Sequence, residues 1–160
     1  MNRQGLLKTL IATFGMAGVS APLFAAEPEL WPWKSKLPPD PALVVLTSIE
    51  DVTATINKSG DPPTVTISVN ASAPTPNFSE LQLAPRIGNP KDLIFAFDAK
   101  GRPPQDLTTQ VITSVSFTVE YVDAPLDKVG VVEVNAPGSC KAFSLTEKMA
   151  VACTSQPAPR

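Results

Sequence analysis

The fold is decided by one stretch, Gln110-Val-Ile-Thr-Ser-Val-Ser-Phe-Thr-Val-Glu-Tyr-Val122. Its odd-numbered positions from Val111 to Tyr121 are mostly apolar, and its even-numbered positions from Ser114 to Glu120 are all polar. A period of two in a stretch rich in β-branched and aromatic residues indicates a strand with one apolar face. A strand over the whole stretch would be roughly 43 Å long, so we expect a bulge, a bend or fraying at one end.

Further segments alternate in the same way or are short apolar runs, and helical periodicity is absent from them. The chain has 18 prolines, and they fall between these segments, where strands end. We predict an all-β fold, a single immunoglobulin-like β-sandwich of about seven to nine antiparallel strands, with an open barrel as the alternative. Besides the stretch above, the predicted strands before the C-terminal hairpin are Ala42–Ile49, Val52–Ile56, Thr64–Asn70, Phe78–Leu83, Asp92–Asp98 and Val129–Asn135.

The beginning of the chain has the pattern of a secretory signal peptide. Arg3 and Lys8 precede a short apolar run, and small residues end at Ala25, after which we expect cleavage. The run is short for a spanning helix, which needs about 20 apolar residues, so an N-terminal membrane anchor is the weaker alternative. The predicted organisation is signal peptide 1–25, proline-rich extended arm 26–41, β-sandwich domain 42–154 and flexible tail 155–160. The mature protein is expected in the periplasm or outside the cell, without a membrane span.

Several classes of chemistry lack the residues that they need. The net charge is −2 with no basic run, which argues against nucleic acid as a partner. The chain has no histidine, so Ser-His-Asp triads and histidine metal sites are excluded. We therefore predict no catalytic residue, no cofactor and no metal. Carboxylates alone remain as an alternative site for a small hydrolase, and the candidate groupings are Glu50 with Asp51, Glu120 with Asp123, and Asp98 with Asp106.

The two cysteines, Cys140 and Cys153, predict a disulfide bond in an exported protein. If Lys141–Leu145 and Lys148–Ala152 form a hairpin about Thr146-Glu147, the register places the two cysteines directly opposite each other. A four-residue loop with the same pairing is an equally good solution, because Thr-Glu is not a preferred two-residue turn. A redox-active pair is the functional alternative, but the spacing is not that of a C-x-x-C motif.

Two features suggest a contact with a partner protein. Trp31 and Trp33, the only tryptophans, lie in the proline-rich arm, where they either fold back on the domain or anchor a partner. The segment Ala99–Pro104 is predicted to be an exposed loop between strands. Its residues Lys100 and Arg102, followed by prolines, resemble the braced loop of a hydrolase inhibitor.

Several pieces of the chain resemble a family of small, uncharacterised, exported bacterial β-domain proteins of proteobacterial type. They include Ala73-Pro-Thr-Pro-Asn-Phe-Ser79, Leu81-Gln-Leu-Ala-Pro85, the strand Asp92–Asp98, Thr109-Gln-Val-Ile-Thr113 and Val129-Gly-Val131. Where the family pattern has two glycines and a tryptophan, this chain has Pro76, Asn77 and Phe78 instead. The resemblance implies a compact exported β-domain, and it implies no activity because its motifs are turns and strands.

These observations favour a non-enzymatic binding or accessory module of the bacterial cell envelope. Such a module would contact another envelope or secreted protein through a sheet edge, a loop or the tryptophan arm. The first alternative is a secreted inhibitor of a protease or other hydrolase, and the second is a hydrolase that uses carboxylates.

Overall fold

A computed structural model describes residues 29–32, 40–86, 93–106 and 109–154 of the chain. These residues form ten strands and no helix, as the all-β prediction requires. The predicted signal peptide, most of the arm and the predicted tail lie outside the described residues. The strands are β1 (Glu29–Leu30), β2 (Val44–Val45), β3 (Ser48–Asn57), β4 (Thr64–Ala73), β5 (Ser79–Pro85), β6 (Ile94–Arg102), β7 (Thr113–Val122), β8 (Val131–Ala136), β9 (Ser139–Ser144) and β10 (Met149–Val151).

The strands lie in two sheets, and we call the sheet that contains β7 the first sheet. Its order is β1-β7-β4-β3, and the order of the second is β10-β9-β8-β6-β2, with β5 also paired to β6. Lys100 of β6 pairs with Gln82 of β5 and with Val45 of β2, so these two partners lie on opposite sides of β6. Two pairs, β1 with β7 and β6 with β8, are parallel, so the prediction of antiparallel strands alone is wrong.

The core lies between the two sheets and is built from alternate residues of the central strands. On β4 these are Val65, Ile67 and Val69, each no more than 1% exposed. Phe95 and Phe97 on β6 are buried from the other side. Strands β3 and β4 pair in antiparallel orientation, and both present their apolar face to one core.

Strand β7 has the alternation that the sequence predicts. It starts at Thr113, so the predicted stretch frays at its N-terminal end, and Gln110–Ile112 lies outside the strand. All ten residues of β7 pair with β4 without a register shift. Its polar positions are exposed, whereas its apolar positions are half-buried except for Tyr121, which is 2% exposed.

The prediction of a single strand before β3 is wrong. The predicted strand Ala42–Ile49 is divided between the sheets, because the chain leaves β2 and enters β3. At the crossing, Leu46 N–H donates to the Ala99 carbonyl at 2.9 Å and Thr47 N–H to the Ser72 carbonyl at 2.8 Å. The segment between β2 and β3 thus crosses from one sheet to the other and is hydrogen-bonded to both.

Strand β6 differs from its prediction at both ends. It continues through Arg102, so the predicted loop Ala99–Pro104 is largely strand. At the other end Leu93, which strand alternation would place on the same face as Phe95 and Phe97, is 51% exposed and has a φ of 59°. Its carbonyl instead accepts the N–H groups of Gly130 and Val131, at 2.7 and 3.0 Å, which sets up the parallel pairing of β8 with β6.

The C-terminal hairpin confirms the predicted disulfide bond. Strand β10 pairs with β9 so that Met149 faces Ser144 and Val151 faces Ala142, and four residues connect the strands. This is the predicted pairing with the longer of the two predicted loops. Cys140 and Cys153 form a disulfide with their Cα atoms 6.2 Å apart. The bond holds the chain that leaves β10 against β9.

Removal of the disulfide bond should measurably lower the stability of the protein. The double variant Cys140→Ser/Cys153→Ser should lose about 3 kcal/mol of unfolding free energy, since the unfolded chain regains the entropy that the loop removes. Urea denaturation followed by circular dichroism measures this loss. Reduced wild-type protein is the control and should unfold at the midpoint of the double variant. Equal stability of oxidised protein and double variant would contradict the prediction.

Candidate functional site

Trp31 lies inside the domain, on the chain that continues from β1. Its ring is 1% exposed and makes edge contacts with the rings of Phe95, Tyr121 and Phe97, at centroid distances of 4.9, 5.4 and 6.1 Å. Such edge contacts contribute about 0.5–1.5 kcal/mol each beyond burial. In this conformation Trp31 packs on its own domain and offers no surface to a partner. Trp33, the other predicted anchor, lies outside the described residues.

Tyr121 is the residue of β7 that faces this aromatic cluster. Its hydroxyl donates a hydrogen bond to the Leu83 carbonyl of β5 at 3.3 Å, so it links the two sheets. Burial, with a smaller effect from the charge of Glu29, raises the pKa of Tyr121 above its ordinary value. The hydroxyl therefore stays protonated and acts as a structural donor.

Lys100 and Arg102 do not lie on a braced loop. Both belong to β6, where Lys100 pairs with strands on both sides. Between them, a Cβ added at Gly101 would lie 2.8 Å from Cδ2 of Leu81 and 3.0 Å from Cδ1 of Phe78. A larger residue at position 101 would force the side chains of Leu81 and Phe78 to move, so glycine favours this close packing. The backbone of Lys100 is paired on both sides and is not available to a protease, so the inhibitor hypothesis loses the loop that motivated it.

Arg102 is held by two carboxylates. Its Nη2 lies 2.6 Å from Oδ2 of Asp40 and 2.7 Å from Oε2 of Glu80. The backbone N–H of Ala42 and the guanidinium hold the pKa of Asp40 below its ordinary value, and the guanidinium does the same for Glu80. The Arg102 cluster therefore ties the chain before β2 and the start of β5 to the end of β6.

The carboxylates proposed for a hydrolase have structural partners or lie in solvent. Glu50 accepts a hydrogen bond from the Ser72 hydroxyl at 2.6 Å. Asp98 pairs with Nε of Arg86 at 2.8 Å, and Glu120 is exposed on the outer face of β7. Across residues 29–32, 40–86, 93–106 and 109–154, no three acidic or thiol side chains come together as metal ligands.

The edge strands of the sandwich differ in how they are protected against pairing with another chain. Strand β3 has a register shift between Ile49 and Asp51, with acidic side chains beside it. Strand β5 is irregular, with Glu80 at a φ of 48°, and it ends at Pro85. Strand β10 is only three residues long. Bulges, charges, prolines and short length are the common ways in which proteins block edge-to-edge association.

Strand β7 has none of these protections over most of its length. Strand β1 covers only Tyr121 and Val122, so Ser114–Glu120 pairs on one side alone among the described residues, and we call this segment the open edge. It contains no bulge, proline or basic residue, and its single charge is Glu120. A regular edge of this length with a single charge at its end is a ready template for strand addition.

Hydrogen bonds at the end of β7 show which backbone groups face the open edge. The Val122 carbonyl accepts the Trp31 N–H at 3.0 Å on the β1 side, and the Asp123 N–H donates to the Pro63 carbonyl at 3.0 Å on the β4 side. Backbone groups alternate between the two sides of a strand. Those that point to the open edge therefore belong to Ser114, Ser116, Thr118 and Glu120.

Large apolar side chains are exposed at both ends of the open edge. Val111 is 54% and Ile112 68% exposed before its first residue, and Leu30 of β1 is 53% exposed beyond its last. Between them, Val115, Phe117 and Val119 are packed against the core but only half-buried. Apolar surface thus borders the open edge. The centres of protein interfaces are similarly apolar.

The sequence identifies the strand but not its position at an edge. The available signal is that 113–119 contains no charge or proline, although a central strand has the same composition.

Comparison with protein-family profiles, curated proteins and solved structures finds no match. Among the residues described, none forms a helix suited to crossing a bilayer. The disulfide bond is compatible with an extracellular location.

The packing of Trp31 predicts that Trp31→Ala lowers the unfolding free energy by about 3–5 kcal/mol, because a large buried ring is removed. Urea denaturation of the variant measures this loss. Leu30→Ala is the matched control, since its exposed side chain is the neighbour of Trp31 and its loss should change stability by less than about 0.5 kcal/mol. Similar stabilities for the two variants would show that the arm does not pack on the domain in solution.

The Arg102 cluster predicts a pH effect on stability. A carboxyl with a lowered pKa in the folded protein stabilises the fold above its unfolded pKa, and the contribution disappears as the pH falls through the folded value. The melting temperature of wild-type protein should therefore fall more steeply below about pH 4 than that of Arg102→Gln. The difference should be small because solvent screens exposed pairs. Parallel melting curves from pH 7 to pH 2 would contradict this.

Proposed function

We propose that the protein is an exported, non-enzymatic binding or accessory module of the bacterial cell envelope, and that it contacts its partner by strand addition at the open edge of β7. The observation that carries the proposal is the contrast between this edge and the other edge strands. Strand addition uses main-chain hydrogen bonds for affinity and alternate side-chain contacts for specificity.

The open edge offers both kinds of contact. The backbone groups of Ser114, Ser116, Thr118 and Glu120 face outward, and the half-buried apolar residues between them present part of their surface. The outer face is made of short hydroxyl side chains, which leave the backbone accessible. Thr118 and Ser68 hydroxyls lie 3.0 Å apart, so these side chains rest on the sheet.

The cellular setting of the proposal comes from the sequence. A cleaved signal peptide over 1–25 would deliver the protein to the periplasm or the medium. We expect an immunoglobulin-like sandwich, a scaffold that presents loops and sheet edges to partners. Pieces of the sequence resemble a family of small exported bacterial β-domain proteins. The disulfide bond fits an oxidising compartment.

Ser116 is the position at which the proposal is tested. Ser116→Pro removes an N–H that points to the open edge, so it blocks strand addition without removing a hydrogen bond to β4. Tagged protein extracted gently from its own cells should elute in an assembly larger than the monomer. The amount of this assembly should be at least about tenfold lower for the proline variant. Size-exclusion chromatography with light scattering measures it, and mass spectrometry identifies the companion.

Ser116→Ala is the matched control, because both variants lose the hydrogen bond from the Ser116 hydroxyl to Oδ1 of Asn70 but only alanine keeps the backbone N–H. The alanine variant should retain the assembly. A proline variant that is folded by circular dichroism and retains the assembly would overturn the proposed edge contact.

A further inference from the structure

We propose that the occupant of the open edge is a second copy of this chain, whose β7 pairs with it in antiparallel orientation about a two-fold axis. This inference rests on the proposed function and names its partner. Three features of the edge carry it: the direction of its backbone groups, the position of its exposed apolar residues and the position of its single charge.

The backbone groups select one register. An antiparallel ladder needs outward-facing residues of one strand opposite outward-facing residues of the other. A two-fold axis at Phe117 places Ser114 opposite the partner's Glu120, and Ser116 opposite the partner's Thr118. Every outward-facing group of the open edge then has a hydrogen-bonding partner. A register shifted toward the C-terminal end would run into β1, which covers Tyr121 and Val122.

The exposed apolar residues fit the same symmetry. They lie at opposite ends of the edge, with Val111 and Ile112 before Thr113 and Leu30 beside Val122. Two-fold symmetry brings the N-terminal end of one open edge to the C-terminal end of the other. In this register Thr113 falls opposite the partner's Tyr121, which β1 already covers, so the paired ladder ends at Ser114. Val111 and Ile112 then come to the same end of the interface as the partner's Leu30.

Apolar side chains also match on the inner face of the extended sheet. The axis residue Phe117 lies against the partner's Phe117, and Val115 lies opposite the partner's Val119. These side chains are half-buried in the single chain, so pairing covers the surface that the core leaves exposed. Aromatic and β-branched pairs directly opposite each other are among the favourable cross-strand pairs.

The charge pattern permits self-association. Glu120 is the only charged residue of the open edge, and in this register it lies opposite the hydroxyl of the partner's Ser114. Like charges directly opposite each other would oppose pairing, and this register avoids them.

The first test uses purified exported protein alone, without any other cellular component. Sedimentation equilibrium should show a concentration-dependent dimer for wild type and Ser116→Ala, and a dissociation constant at least about tenfold higher for Ser116→Pro. A wild-type protein that remains monomeric up to about 100 µM overturns the inference.

The second test fixes the register and stays informative if the proline variant fails to fold. Phe117→Cys should form an intermolecular disulfide on mild oxidation, since directly opposed Cα atoms at a non-hydrogen-bonded pair lie about 4.5 Å apart. Val119→Cys is the matched control, because in this register the two copies of residue 119 are about 13 Å apart and cannot be joined. Equal cross-linking of the two variants, or none for Phe117→Cys, overturns the register.

The outcomes separate this inference from the proposed function. A purified wild-type monomer, together with a cellular assembly that Ser116→Pro abolishes and that contains another protein, refutes the dimer and keeps the edge as a contact. A cellular assembly that survives Ser116→Pro refutes the edge contact itself. A dimer with the predicted cross-linking supports both.

Discussion

The closure of the two sheets depends on the side chain of Tyr121. It is held in register by β4 on one side and β1 on the other, and its ring stacks on Phe97 with centroids 5.9 Å apart. Its hydroxyl reaches the carbonyl of Leu83 in the other sheet. Tyr121 thus connects the first sheet to β5 and β6, and its ring also packs against Trp31. This explains why Tyr121 is the only residue of β7 that is fully buried.

The parts of the fold that follow from local alternation are the parts that the sequence predicts. The apolar face of β4, the hairpin of β9 with β10 and the opposed pair Cys140–Cys153 each depend on neighbours close in the chain. In such elements the period of two and the turn length determine the register. The same holds for β3 and β4, which are joined by a short loop that is rich in turn-forming residues.

The errors arise where tertiary contacts override local pattern. Residues 99–102 contain glycine and two basic side chains, which are typical of a loop, yet packing of β5 and the Asp40–Arg102–Glu80 cluster extend β6 through them. The run Ala42–Ile49 has no internal signal for its division between sheets, since each half pairs with a residue distant in sequence. The parallel pairing of β6 with β8 has the same origin.

Strand β7 has two kinds of position, those that packing of the core constrains and those that it leaves free. Packing constrains the odd-numbered positions, because they face the core, and it leaves the even-numbered positions free to carry lysine or glutamate as edge protection. Instead Ser114, Ser116 and Thr118 are short hydroxyl residues, and the hydroxyl of Ser116 donates to Oδ1 of Asn70 at 2.7 Å. Side chains that lie along the sheet keep the backbone edge accessible. The core does not account for this choice, whereas the proposed strand addition would.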